Sequence, residues 1–211
     1  MKSLLLFFFF IYAFFAFSQI DVKKVESLCF EFHNQERSKV SAPIREYSKT
    51  CENSANLQTS YLLKNFIEGQ SLHDQLVNTN GKIYKKQEDR YNLFNKDSVK
   101  YPDNQKKTSL YRYDGEIALS VRNLEMKLDS NTNEELAKNI ISWFKQSRGH
   151  NFTMLYKSAA NYIYRGAFSV KVNIKSTDNG YVTFDLYCVA VFDCSINLDL
   201  YDYKNKKWVQ N

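Results

Sequence analysis

The stretch Thr132-Asn133-Glu134-Glu135-Leu136-Ala137-Lys138-Asn139-Ile140-Ile141-Ser142-Trp143-Phe144-Lys145-Gln146-Ser147-Arg148-Gly149-His150 decides the fold. Leu136, Ala137, Ile140, Ile141 and Phe144 recur at the spacing of one helix face, so the segment predicts an amphipathic helix with that face inward. Trp143 lies among them and is expected in the core. Thr132-x-x-Glu135 has the form of a capping box, in which hydroxyl and carboxylate satisfy the first free backbone N–H groups. Gly149 is suited to end the helix, because a helix C-terminus commonly needs a left-handed residue.

Strands flank this helix on both sides. Downstream, Phe168, Val170, Val172 and Ile174 alternate with Ser169, Lys171 and Asn173, the period of a half-buried strand. Asp178-Asn179-Gly180 reads as a hairpin turn, and Tyr181 to Phe192 as the returning strand. Upstream, Ile117-Ala118-Leu119-Ser120-Val121 reads as a short strand. Nearer the N-terminus, Asp21 caps a helix with Val22, Val25, Leu28, Cys29 and Phe32 on its apolar face. His33 on that helix has polar neighbours and is expected at the surface or in supporting packing. Pro43 breaks the chain, and a second helix is expected from about Thr50 to Phe66, using Cys51, Ala55, Leu62 and Phe66. Positions 68–113 are polar and irregular, with a short helix around Glu88–Phe94. Helices first, a central antiparallel sheet and a helix inserted between its strands predict an α+β fold, a three-layer α-β-α sandwich.

The N-terminus has the pattern of an export signal. Lys2 is followed by an apolar run from Leu4 to Phe17, and Ala16 and Ser18 put small residues at the −3 and −1 positions. The run is shorter than the roughly 20 residues of a membrane span. Residues 1–18 are therefore expected to be a cleaved signal peptide, and the protein to be secreted, extracellular or periplasmic, not transmembrane. With two prolines and six glycines in 211 residues, no linker divides the remainder. The 29 basic and 23 acidic side chains give a net charge of +6. The basic residues are scattered, which points away from nucleic acid and towards a solvated surface. Four cysteines in an exported chain predict disulfides. A Cys29–Cys51 bridge would tie the first two helices together. Cys188 and Cys194 on one straight strand would lie about 20 Å apart, so a bridge there needs a turn near Phe192-Asp193. Three pairings remain open.

The order His73, Gly115-Glu116, then Trp143 followed by Ser147-Arg148-Gly149-His150 resembles the CAP superfamily (cysteine-rich secretory, antigen 5 and pathogenesis-related 1 proteins; the SCP domain) in its bacterial form. Asn34-Gln35-Glu36-Arg37 is similar to the family's opening Asn-x-x-Arg motif, and Asp89-Arg90 to its Asp-Arg pair. Met154-Leu155 and Arg165-Gly166-Ala167 fit its continuation into the central strands. The resemblance covers 22–193, leaving 194–211 as a C-terminal extension. It implies an α-β-α sandwich whose cavity is built from two histidines and two acids, of which His73, Glu116 and His150 are present. Three features depart from the pattern: Ile117 stands where Asn is expected, the Trp–Ser spacing is one residue longer, and Gln146 replaces the second acid.

Two imidazoles and a carboxylate are the residue types that hold Zn²⁺ with a water in its open position, and such a water is activated towards neutral pH. A metal-dependent hydrolase would take His73 and His150 as ligands and Glu116 as general base, with zinc as the candidate cofactor. Against it, the chain has no His-Glu-x-x-His. Ser147 and His150 lack the Gly-x-Ser-x-Gly setting of a serine nucleophile, so Ser147 is expected to bond backbone at a helix end. The 15 tyrosines and 16 phenylalanines suit a lipid groove as well as an aromatic core. Asn151-Phe152-Thr153 has glycosylation spacing. The expectation is an exported, non-catalytic binding module for a lipid, another apolar ligand or a cell-surface partner, acting through the His73, Glu116 and His150 cavity. The alternatives are the hydrolase and an envelope or adhesion module with a vestigial cavity.

Overall fold

A histidine and an arginine, His33 and Arg37, continue the apolar line on the inner side of the first helix. A computed structural model describes residues 20–76, 84–96, 98–100, 107–109, 111–156, 162–196, 201–202 and 207–208; the expected signal peptide and most of the C-terminal extension lie outside them. Helix α1 (Val22–Lys39) starts at Asp21, whose carboxylate accepts from the backbone N–H groups of Lys23 and Lys24. Its buried line is Val25, Cys29, His33 and Arg37, one residue every four, with Glu26 beside it. Leu28 and Phe32 pack only partly. His33 is thus corrected from surface to core: it is fully buried, stacked 5.1 Å from Phe192 and edge-on to Phe168.

After the short strand β1 (Glu46–Tyr47), Ser48 caps helix α2 (Lys49–Asn65) by accepting from the Cys51 N–H. Helix α3 (Gln87–Phe94) is brief. A small hairpin, β2 (Ser98–Lys100) with β3 (Lys107–Ser109), leads to the long strand β4 (Arg112–Lys127). Then come α4 (Thr132–Gln146), α5 (Arg148–Leu155), β5 (Tyr162–Asp178) and β6 (Tyr181–Ile196). A pair of two-residue strands, β7 (Tyr201–Asp202) and β8 (Lys207–Trp208), follows. The β5–β6 turn carries positive φ at Asn179 and Gly180, which matches the right-handed strand twist.

The main sheet has the order β1-β5-β6-β4. Its three long strands are antiparallel, and the short edge strand β1 runs parallel to β5, with Glu46 opposite Arg165. Strand alternation then sorts the side chains into two cores. Ile117, Phe168, Val170, Phe184, Leu186, Cys188, Ala190 and Phe192 face α1, α4 and α5. Ala118, Ala167, Tyr187, Val189 and Val191 face α2 and α3, where Cys51, Ala55, Tyr61, Leu62 and Tyr91 meet them. The fold is α+β, with helices on both faces of the sheet. No described helix is long and apolar enough to cross a membrane.

Three local expectations are revised. The inserted helix ends at Gln146, ahead of Gly149, because Ser147 adopts an extended backbone (φ −85°, ψ 118°) before the next helix begins at Arg148. Gly149 lies inside the second, without positive φ, and does not end the first. Thr132 does not form the capping box; its hydroxyl bonds the Lys127 and Asp129 carbonyls and fixes the turn before α4. All four cysteines are buried free thiols. Cys29 and Cys51 belong to the cores on opposite sides of the sheet, so the expected bridge between the first two helices has the sheet in its way. Cys188 and Cys194 sit on one uninterrupted stretch of β6 paired to β5, with no turn to bring them together.

Candidate functional site

Glu116 stands on β4, one residue before the buried Ile117, with no solvent exposure of its side chain. A buried carboxylate requires a cation or several donors to remain in place. Arg90 supplies them: its Nη2 lies 2.8 and 2.9 Å from the two carboxylate oxygens, and the guanidinium is also fully buried. Arg90 Nη1 donates to the Tyr84 carbonyl at 3.1 Å. The next residue, Tyr91, donates its hydroxyl to Asp193 at 2.8 Å, and Asp193 is held in turn by Arg165. Helix α3 therefore docks on the sheet through two adjacent polar anchors, Arg90 to β4 and Tyr91 to β6.

His73 adds a third contact to the same carboxylate, with Nδ1 3.0 Å from Glu116 Oε1. A carboxylate only accepts, so Nδ1 carries a proton and donates it to Glu116. The His150 ring lies 6.3 Å from His73, and 5.4 Å from Phe144 in an edge-on contact. Partial burial, and then the neighbouring His73, lower the His150 pKa below its usual value. His73, Glu116 and His150 are therefore neighbours.

The donor set does not fit a catalytic zinc. Such sites take three protein ligands, whereas Glu116 is sealed from solvent and engaged by Arg90 and His73, leaving two imidazoles. Among the described residues no group of three or more His, Cys, Asp or Glu is placed to hold a metal ion. The same engagement removes Glu116 as a general base. Ser147 Oγ accepts from the His150 N–H at 3.5 Å and caps α5. Trp143 is half-buried against the core, and Gln146 is exposed.

The outer side of α5 is different. Arg148, Gly149, Asn151, Phe152, Leu155 and Tyr156 line an open cleft of about 750 Å³ with a mostly apolar wall. Phe152 is 66% exposed and lies 5.5 Å from the Tyr156 ring. At 3.6 residues per turn these residues share one face, and His150 points the other way. This apolar cleft is not lined by His73, Glu116 or His150.

Met154 is the only buried side chain of α5. Burying it contributes about 1.5–3 kcal/mol, whereas ordering eight residues costs about 1 kcal/mol or more each. Polar ties make up part of the difference. Arg37 Nη1 donates to the Met154 and Tyr156 carbonyls at 2.7 and 3.0 Å, and its Nε to the Pro43 carbonyl at 2.6 Å. Arg45, also fully buried, bonds Asp114 at 3.0 Å and reaches the Thr153 carbonyl at 3.5 Å, with its guanidinium 4.3 Å over Phe192. Asn34 holds the Arg45 backbone at both its N–H (2.8 Å) and its carbonyl (2.9 Å). On the sheet side α5 comes so close that a Cβ at Gly115 would lie 2.8 Å from Thr153 Cγ2.

Sequence reasoning missed Arg45, Asp114, Asp193 and the part played by Arg90. One signal was present: an acid directly before the apolar Ile117-Ala118-Leu119 is headed for burial and needs a cation.

No family model and no curated protein matches the chain. Among solved structures, it is similar to an outer surface protein from Borrelia burgdorferi, at 14% identity and a TM-score of 0.46, over 83% of this chain and 97% of that one.

Proposed function

We propose that the chain is an exported CAP-like module that binds an apolar ligand or an apolar patch of a surface partner without catalysis. The observation that carries this reading is the division of labour across α5. On its inner side the carboxylate bonded to His73 is buried and committed to Arg90 as well, which makes that cluster a brace. On its outer side lies an open cleft walled by Phe152, Leu155 and Tyr156. A mostly apolar concavity with a few polar groups at its margin is the usual form of a site for such ligands.

The test is titration of the purified protein with a fluorescent polyunsaturated fatty acid, beside Phe152→Ser and His73→Ala. Phe152→Ser should weaken binding at least tenfold while leaving the melting temperature unchanged, because the ring is mainly exposed. His73→Ala should leave the affinity within about twofold. Equal binding by Phe152→Ser and the parent would remove the cleft from consideration; loss in His73→Ala alone would return the site to the histidines.

A further inference from the structure

We infer that Arg37, supported by Asn34 and Arg45, is a positioning residue that latches α5 in place and so sets the shape of the cleft. Its functional weight rests on the cleft reading above; the latch itself does not. Arg37 is fully buried yet has no carboxylate partner among its hydrogen bonds, all of which go to backbone carbonyls: Pro43, Met154 and Tyr156. A buried guanidinium with only carbonyl partners is costly unless those carbonyls are themselves unsatisfied. Those of Met154 and Tyr156 are such groups, since the last carbonyls of a helix have no partner within it and carry the negative end of its dipole. The planar fork suits this task, as one side chain reaches the turn at Pro43 and the end of α5 together.

The other two residues make the latch rigid. The Asn34 amide grips both backbone polar groups of Arg45, one turn of α1 before Arg37. Arg45 then reaches Thr153 in α5, Asp114 next to Gly115, and the Arg165 carbonyl in β5. Both guanidiniums lie over the Tyr164 ring, at 5.3 and 5.5 Å. The Asn34-x-x-Arg37 spacing thus places on one side of α1 an amide that fixes Arg45 and a guanidinium that fixes α5. With Met154 as its only buried anchor, α5 takes its position from these ties.

Amide hydrogen exchange followed by mass spectrometry tests this without any ligand. In Arg37→Met, peptides within 148–155 should exchange at least tenfold faster, while β5, β6 and α4 keep parental protection. Ile140→Val, which weakens the core away from the latch, should not single out 148–155. Arg37→Lys keeps the charge but not the fork, and should give an intermediate rise of about threefold; it decides the matter if the Met variant does not fold. Parental protection of 148–155 in Arg37→Lys, or a rise in Arg37→Met no larger there than elsewhere, overturns the latch. Binding of the same fluorescent fatty acid should fall with the loss of protection. Phe152→Ser should lose binding with 148–155 still protected, so failure of the cleft and failure of the latch give different results.

Discussion

Arg90 and Glu116 face each other as a fully buried ion pair, one guanidinium nitrogen within 2.9 Å of both carboxylate oxygens. The pair joins a short helix with no apolar stripe to the central sheet. It also determines what the neighbouring histidines can do, because a carboxylate committed in this way neither accepts a substrate proton nor completes a metal site.

Breaking that pair from one side strands a charge. Arg90→Met should destabilise the protein by about 3–5 kcal/mol, the range for an orphaned buried ion. Arg90→Met with Glu116→Leu should recover most of it. Urea denaturation of the two variants measures both; a double variant no more stable than the single one would mean that packing, not charge, dominates.

Acid should weaken the fold through His33. Burial, and then the charges of Arg45 and Arg37, hold its pKa well below the usual 6.5. Both ring nitrogens are buried without a partner. Below pH 6.5 the unfolded chain takes up a proton that the folded one refuses. The stability contributed by neutral His33 is therefore complete above that pH and is lost as pH falls through the window beneath it, at about 1.4 kcal/mol per unit. His33→Phe keeps the stack on Phe192 and should flatten the loss between pH 6.5 and 5. Identical slopes for parent and variant in urea titrations at several pH values would refute this.

Gly115 allows α5 to approach β4. Gly115→Ala should cost about 1–3 kcal/mol, typical of one methyl too many in a packed contact. Thr153→Ser removes only the opposing Cγ2 and should rescue most of the loss in the double variant. Thermal melts of the four proteins decide it, and failure of the rescue would place the strain elsewhere.

Zinc titration by calorimetry should show no saturable one-to-one binding in the parent, because two imidazoles fall short of the ligand number of a stable site. A saturable heat abolished in both His73→Ala and His150→Ala would restore the metal reading.

Much of the architecture was legible in the sequence because it depends on local rules. The alternation from Phe168 to Ile174, the Asn179-Gly180 turn and the apolar face from Leu136 to Phe144 each specify an element from nearest neighbours alone. What escaped reading depends on contacts between distant positions. His33 looks polar in its own helix and is buried only because Phe168 and Phe192, from strands far along the chain, enclose it. That α4 ends at Ser147 and not at Gly149 is set by Ser147 capping the next helix, a backbone choice that the hydrophobic period does not report. The cluster of His73, Glu116 and His150 could be anticipated from a pattern, but the commitment of Glu116 to Arg90 could not, as no spacing rule links α3 to β4.

The four thiols have a practical use. Cys29, Cys51 and Cys188 are wholly inaccessible and Cys194 nearly so, and burial raises the pKa of each, which suppresses the reactive thiolate. An alkylating reagent must therefore wait for the structure to open around each one. Cys29 and Cys188 sample the core beneath α1 and α4, and Cys51 the opposite core beneath α2. Pulsed labelling read by mass would time the opening of the two layers separately, with no engineered probe.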